Sequence, residues 1–182
     1  MMRFSAKVAI LSVTTLVLVL VLASAVYGAA PVSDQVNVNV QVSDYISISS
    51  PGDVTLATIA GAGGSSEGNA TWQVSTNNDM GYKLDIAATG SPAMTKGADS
   101  FADYSGAGVW SIPATQSAFG FSVTDTSSYQ GFTGATPILV RNSTNETAGE
   151  NTTINFKAEV GASHLQASGA YSANLTVTAT TL

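Results

Sequence analysis

Apolar and polar residues alternate with period two through most of the chain beyond residue 29, and helical spacing is hard to find there. Val36, Val38, Val40 and Val42 alternate with Asn37, Asn39 and Gln41, so an extended backbone puts all four valines on one face. Ile46 and Ile48 keep that parity beyond Ser43 and Asp44, which predicts one long strand over residues 36–49, bent near Asp44. Ser50-Pro51-Gly52-Asp53 has turn composition, and a strand over 54–59 is expected after it. Residues 61–68 read as a flexible Gly/Ser loop. Ala70, Trp72, Val74 and Thr76 then share one face, as do Tyr82, Leu84, Ile86 and Ala88. The short, Gly-containing connection over 77–81 makes the pair read as a β-hairpin.

Residues 89–117 are less regular and read as a surface excursion with one short strand over 109–112. Alternation resumes at Phe119, Phe121 and Val123. Pro137 precedes Ile138, where an edge strand tolerates it. Thr152, Ile154, Phe156, Ala158 and Val160 form another dry face, and Tyr171, Ala173, Leu175, Val177 and Ala179 form the last. Strands with one dry face each must bury those faces against one another. The expected fold is therefore all-β, an antiparallel β-sandwich of about 8–10 strands. A lipid-facing barrel uses the same alternation, but only residues 36–42 offer a continuous large-apolar face and no aromatic girdle is present.

The first residues have a different character. Arg3 and Lys7 lead an apolar run from Val8 to Ala23 that ends in small residues, the three-part order of a secretory signal peptide. Cleavage is expected before Ala29. This gives a signal peptide over 1–28 and a single β-sandwich domain over 29–182, secreted or at the cell surface and free of the membrane after cleavage. An uncleaved anchor is the alternative, because residues 8–26 approach the length that spans a bilayer. Beyond residue 28, four basic residues face twelve acidic ones, a net charge of −8. That balance counts against nucleic acid and anionic lipid, both of which need a basic footprint. The chain has no cysteine, which excludes disulfides, thiolate metal sites and cysteine nucleophiles.

The strand 36–42, the stretch Asn69-Ala-Thr-Trp-Gln-Val-Ser-Thr-Asn-Asn78, the stretch Gly81-Tyr-Lys-Leu-Asp-Ile86 and the closing Tyr171-Ser-Ala-Asn-Leu-Thr-Val-Thr-Ala179 follow an N-terminal signal. In that order they resemble small secreted β-sandwich proteins of prokaryotic cell surfaces, of the WxL-type wall-associated and pilin-like spore-coat-U groups. WxL-type domains imply peptidoglycan binding, but Trp72-Gln73-Val74 stands where their signature has Trp-x-Leu, and no second such motif follows. What the resemblance implies is a surface-exposed, non-catalytic β-sandwich.

Residue chemistry points the same way. Gly64-Ser65-Ser66-Glu67-Gly68 matches the pattern G-x-S-x-G, but it runs into a strand, whereas a nucleophile elbow needs a helix. His164, the one histidine, lies beside Ser163 in a loop, and a triad needs three converging groups. Asp79, Asp99, Asp103 and Asp125 fall in loops. Their spacing lacks the alternate positions of a calcium loop, so no metal is expected and no cofactor is called for. Trp72 shares parity with Val74 and is expected in the core. Trp110 and Tyr104 are the candidates for stacking on a glycan, and Asn69, Asn142, Asn145, Asn151 and Asn174 open glycosylation sequons, the middle three clustered in an expected loop. The sequence thus suggests a structural coat or filament subunit and no enzyme. Its assembly strand would be Val36, Val38, Val40 and Val42, and its partner a second copy of itself. The alternative is a module that binds cell-wall polymer or glycan.

Overall fold

The computed structural model describes residues 32–124 and 126–182; the signal-peptide reading and Asp125 lie outside them. Eleven strands occur among the described residues: β1 (Ile46–Ile48), β2 (Ser65–Thr76), β3 (Tyr82–Ala88), β4 (Met94–Lys96), β5 (Asp99–Asp103), β6 (Ser117–Val123), β7 (Tyr129–Gln130), β8 (Ile138–Ser143), β9 (Thr147–Val160), β10 (Ser172–Ala173) and β11 (Leu175–Thr181). The larger sheet runs β1-β2-β9-β6-β5-β4-β10, with β7 added to β6, and the smaller runs β11-β3-β8. The expected wholly antiparallel pairing is corrected at one place, because β5 runs parallel to β6, with Ala102 opposite Ala118. All of these strands belong to the unit Val42–Leu182.

The all-β expectation holds because alternation becomes burial. On β9, Thr152, Ile154, Phe156, Ala158 and Val160 are buried, and on β3, Tyr82, Leu84, Ile86 and Ala88 are buried. The two dry faces meet. Ala70, Phe121, Ile154 and Phe156 of the larger sheet share one cluster with Ile86 and Ala88 of the smaller, and half-buried Trp72 packs against it. Val74 meets Tyr82 and Leu84 in a second cluster. Each large side chain so buried contributes about 1.5–3 kcal/mol, which has to stabilise a cysteine-free chain without covalent help.

Several local expectations are corrected. β2 and β3 are not a hairpin: β2 pairs with β1 and β9, while β3 pairs with β11 and β8. The connection 77–81 instead carries the chain from one sheet to the other, with Gly81 at φ 84° and its N–H donating to Asn78 O at 3.0 Å. Side-by-side and face-to-face placement satisfy the same alternation, and burial of Val74 against Tyr82 selects the second. The strand expected over 36–49 shrinks to β1, and residues 36–42 belong to no strand. Residues 54–59 form no strand either; Leu56 and Ile59 pack onto the main core cluster, and Gly68 leaves room for Val54 and Leu56 above β2. Part of the expected loop 61–68 is the start of β2. The excursion over 89–117 carries β4 and β5, whereas 109–112 is not a strand. β10 and β11 divide the closing strand at Asn174, since β10 joins β4 in the larger sheet and β11 joins β3 in the smaller.

Candidate functional site

The chain enters its sheets through one asparagine. Asn77 Oδ1 accepts from Tyr45 N at 2.6 Å, and Asn77 Nδ2 donates to Ser43 O at 3.0 Å, which fixes the backbone just before β1. Further upstream, Gln35 N donates to Asp34 Oδ1 at 2.9 Å, a bond between chain neighbours. Val36, Val38, Val40 and Val42 are 81%, 89%, 88% and 76% exposed. Four valines in strict alternation thus stand in solvent, although burial of each would contribute about 1.5–3 kcal/mol. An apolar series of this kind marks an interaction surface more often than an isolated exposed side chain does.

Trp110 and Tyr104, the two candidates for stacking on a glycan, are brought together and face each other. Their rings stack on each other at 4.3 Å and 14°, and Tyr129 meets Trp110 edge-on at 5.1 Å. Tyr104 is buried, so its faces are taken. Trp110 Nε1 donates to Glu159 Oε2 at 2.7 Å, and Lys157 Nζ lies 5.5 Å from the Trp110 ring centre while pairing with Glu67 at 2.7 Å. The cluster covers the outer side of β6, where a side chain at Gly120 would collide with Gln130 O at 2.7 Å and Tyr104 Cβ at 2.9 Å. Its work is to clamp the 104–116 excursion onto the larger sheet.

The remaining candidates are structural as well. Ser66 of the G-x-S-x-G stretch is buried on β2 rather than raised on a turn. His164 Nε2 lies 3.2 Å from Gln166 Oε1, which also accepts from Ser117 Oγ at 2.6 Å. An amide thus stands where a triad would need an acid, and Gln166 Nε2 continues to Tyr171 OH at 2.7 Å to pin the loop before β10. Asp103 accepts from Ser91 Oγ and Ala93 N at 2.6 and 2.8 Å, and Asp99 pairs with Lys96 at 3.0 Å. Among the described residues no group of three His, Cys, Asp or Glu could hold a metal ion.

All five sequon asparagines are exposed. Asn142 and Asn151 sit on β8 and β9, not in the expected loop, and Asn145 occupies the turn between those strands. Asn69 lies on β2, and Asn174 lies between β10 and β11. Asn151 Oδ1 already accepts from Gln73 Nε2 at 3.2 Å.

Sequence reasoning missed a polar clamp between the sheets. Tyr82 OH on β3 donates to Glu150 Oε2 on β9 at 2.8 Å, and Arg141 on β8 pairs with Glu150 Oε1. Burial pushes the Tyr82 hydroxyl up to about 12, and its bond to Glu150 adds to the rise. Burial opposes ionisation of Glu150 too, but the bonds from Arg141, Tyr82 and Ser143 outweigh it and hold the carboxyl below its usual range. Residues far apart in sequence make this contact, so spacing offered no signal.

A shallow depression of about 260 Å³ lies on the smaller sheet, lined by Asp85, Ala87, Pro137, Thr176, Thr178 and Thr180 among others. No family model, curated protein or solved structure matches the chain.

Proposed function

We propose that the protein is a secreted cell-surface structural subunit, non-catalytic, whose β-sandwich assembles with other copies through residues 36–42. The carrying observation is the exposure of Val36, Val38, Val40 and Val42, which have strand spacing and belong to no strand among the described residues. The resemblance to wall-associated and pilin-like surface proteins, and the charged lead and apolar run over 1–28, support export. The clamped, mutually stacked state of Tyr104 and Trp110 favours a structural role over glycan binding.

The test is negative-stain microscopy of the purified chain beginning at Ala29, beside a form lacking 29–42. Filaments or sheets from the first and dispersed, folded particles from the second are the expected outcome. Dispersed particles from both, with retention on cell-wall sacculi, would replace assembly by wall binding. N-terminal sequencing of the protein from its source should begin at Ala29; a start at Met1 in the membrane fraction would make it an anchored protein.

A further inference from the structure

The turn between β8 and β9 lies at the end of the sandwich where the chain crosses between sheets. Ser143, the last residue of β8, stands opposite Tyr82, the first of β3, and Tyr82 stands opposite Thr181, the last of β11. Thr147 opens β9 opposite Thr76, which closes β2, and Thr76 is also opposite Ile46, the first residue of β1. The turn and the 77–81 crossing touch: a side chain at Gly81 would stand 2.7 Å from Asn145 N. Leu182 N donates to Gly81 O at 3.2 Å, and Asn77 N donates to Tyr45 O at 3.3 Å. Three apolar side chains on these segments, Tyr45, Met80 and Leu182, are exposed.

Of the five sequons, one lies in this turn, and the fold treats it differently from the other four. A carboxamide nitrogen is a poor nucleophile because its lone pair is delocalised, and a sequon adds a hydroxyl two residues on, so a transferase must hold both groups at once. In a strand those two residues are about 6.6 Å apart and fixed by the ladder. Asn69 and Asn151 are fixed in this way on β2 and β9, and their hydroxyl residues Thr71 and Thr153 bond to each other at 2.8 Å. Asn142 is held opposite Lys83 on β8. Asn174 O accepts from Thr89 N at 3.0 Å, and its hydroxyl residue Thr176 is paired with Ala87. Asn145 has no such restraint from a ladder. Residues 144–146 belong to no strand and all three are exposed, and its hydroxyl residue Thr147 is the first of β9, where Oγ1 accepts a local bond from Gly149 N at 3.2 Å.

We infer that Asn145 carries an N-linked glycan, added to the folded chain. The inference rests on the export reading above, since such sites are used on the surface loops of secreted proteins. In the transfer, Asn145 Nδ2 attacks the anomeric carbon of a phosphate-activated sugar held by a transferase. A C–N bond forms as the anomeric C–O bond breaks, the phosphate leaves with the electron pair, and Nδ2 gives up one proton. The glycan then stands at the end of the sandwich that exposes Tyr45, Met80 and Leu182. A hydrated cover there keeps these apolar side chains from joining sandwiches end to end, and leaves association to residues 36–42.

Peptide mapping by mass spectrometry of the protein purified from its source is the test. A sugar mass on Asn145, at several-fold higher occupancy than on Asn69, Asn142, Asn151 or Asn174, is the expected result. Thr147→Ala should abolish that mass and Thr147→Ser should keep it, a difference that a merely structural role for Thr147 would not produce. Asn145→Gln, expressed in the same source, should bind several-fold more of an apolar dye than the parent. Equal occupancy at all five sequons would overturn selection by the fold, and equal dye binding would overturn the covering role. An unmodified Asn145 in a chain that begins at Ala29 would overturn the site while export stands. A chain that begins at Met1 inside the cell, without sugar, would remove the export reading and the inference with it.

Discussion

β9 and residues 36–42 carry the same pattern and meet opposite fates. On β9, buried Thr152, Ile154, Phe156, Ala158 and Val160 alternate with half-exposed Thr153, Asn155, Lys157 and Glu159 between two hydrogen-bonded neighbours. In the N-terminal segment four valines alternate with Asn and Gln just as strictly, and all four are exposed. Composition does not separate them. The difference is whether the described chain supplies a strand beside and a sheet above, so period two identifies a strand-former without saying whose sheet it completes.

The sharpest break of that comparison is a matched pair of truncations. Phe156→Ala should cost about 3–5 kcal/mol in denaturant unfolding, whereas Val38→Ala should stay within about 0.5 kcal/mol for the dispersed protein. Similar costs for the two would place residues 36–42 inside the protein's own core. Next in size is the clamp that joins β9 to the smaller sheet. Tyr82→Phe should cost about 1.5–3 kcal/mol, the usual worth of a hydrogen bond to a charged group. The Tyr82 hydroxyl is raised to about 12 from 10.0, so its contribution is complete below about pH 10 and disappears as pH rises toward 12. Thermal midpoints over that window should fall more steeply in the parent than in Tyr82→Phe.

Glu150 acts at the other end of the pH scale. Its folded carboxyl lies below its unfolded value, so its stabilisation is present above the unfolded value and is lost as pH falls through the folded one. Glu150→Gln should flatten that acid slope; an unchanged slope would mean the clamp contributes nothing through charge. Smaller still is Trp110→Phe, which keeps the stack on Tyr104 but removes the bond to Glu159. A loss of about 0.5–1.5 kcal/mol is expected, and Trp110 emission should resist a soluble quencher more than a free indole does. Ready quenching with no loss would return Trp110 to the list of ligand-stacking residues.

Which parts were legible in the sequence follows from the range of the interactions. The dry faces of β3 and β9 could be read because side-chain parity is local, and so could Pro137 before edge strand β8. The pairing of β2 and β3 could not, because a short connection with Gly81 serves a crossing between sheets as well as a hairpin. Trp110 read as a free aromatic because Tyr129 and Glu159, which hold it beside Tyr104, come from other parts of the chain.

Hydrogen exchange at the amides of residues 36–42 tests the central contrast most directly. At high dilution these amides should exchange at nearly the rate of an unstructured peptide while those of β9 stay protected. At concentrations where polymers form, they should gain protection. Protection of residues 36–42 that is already complete at the lowest concentration, equal to that of β9, would mean the segment is a strand of its own sandwich.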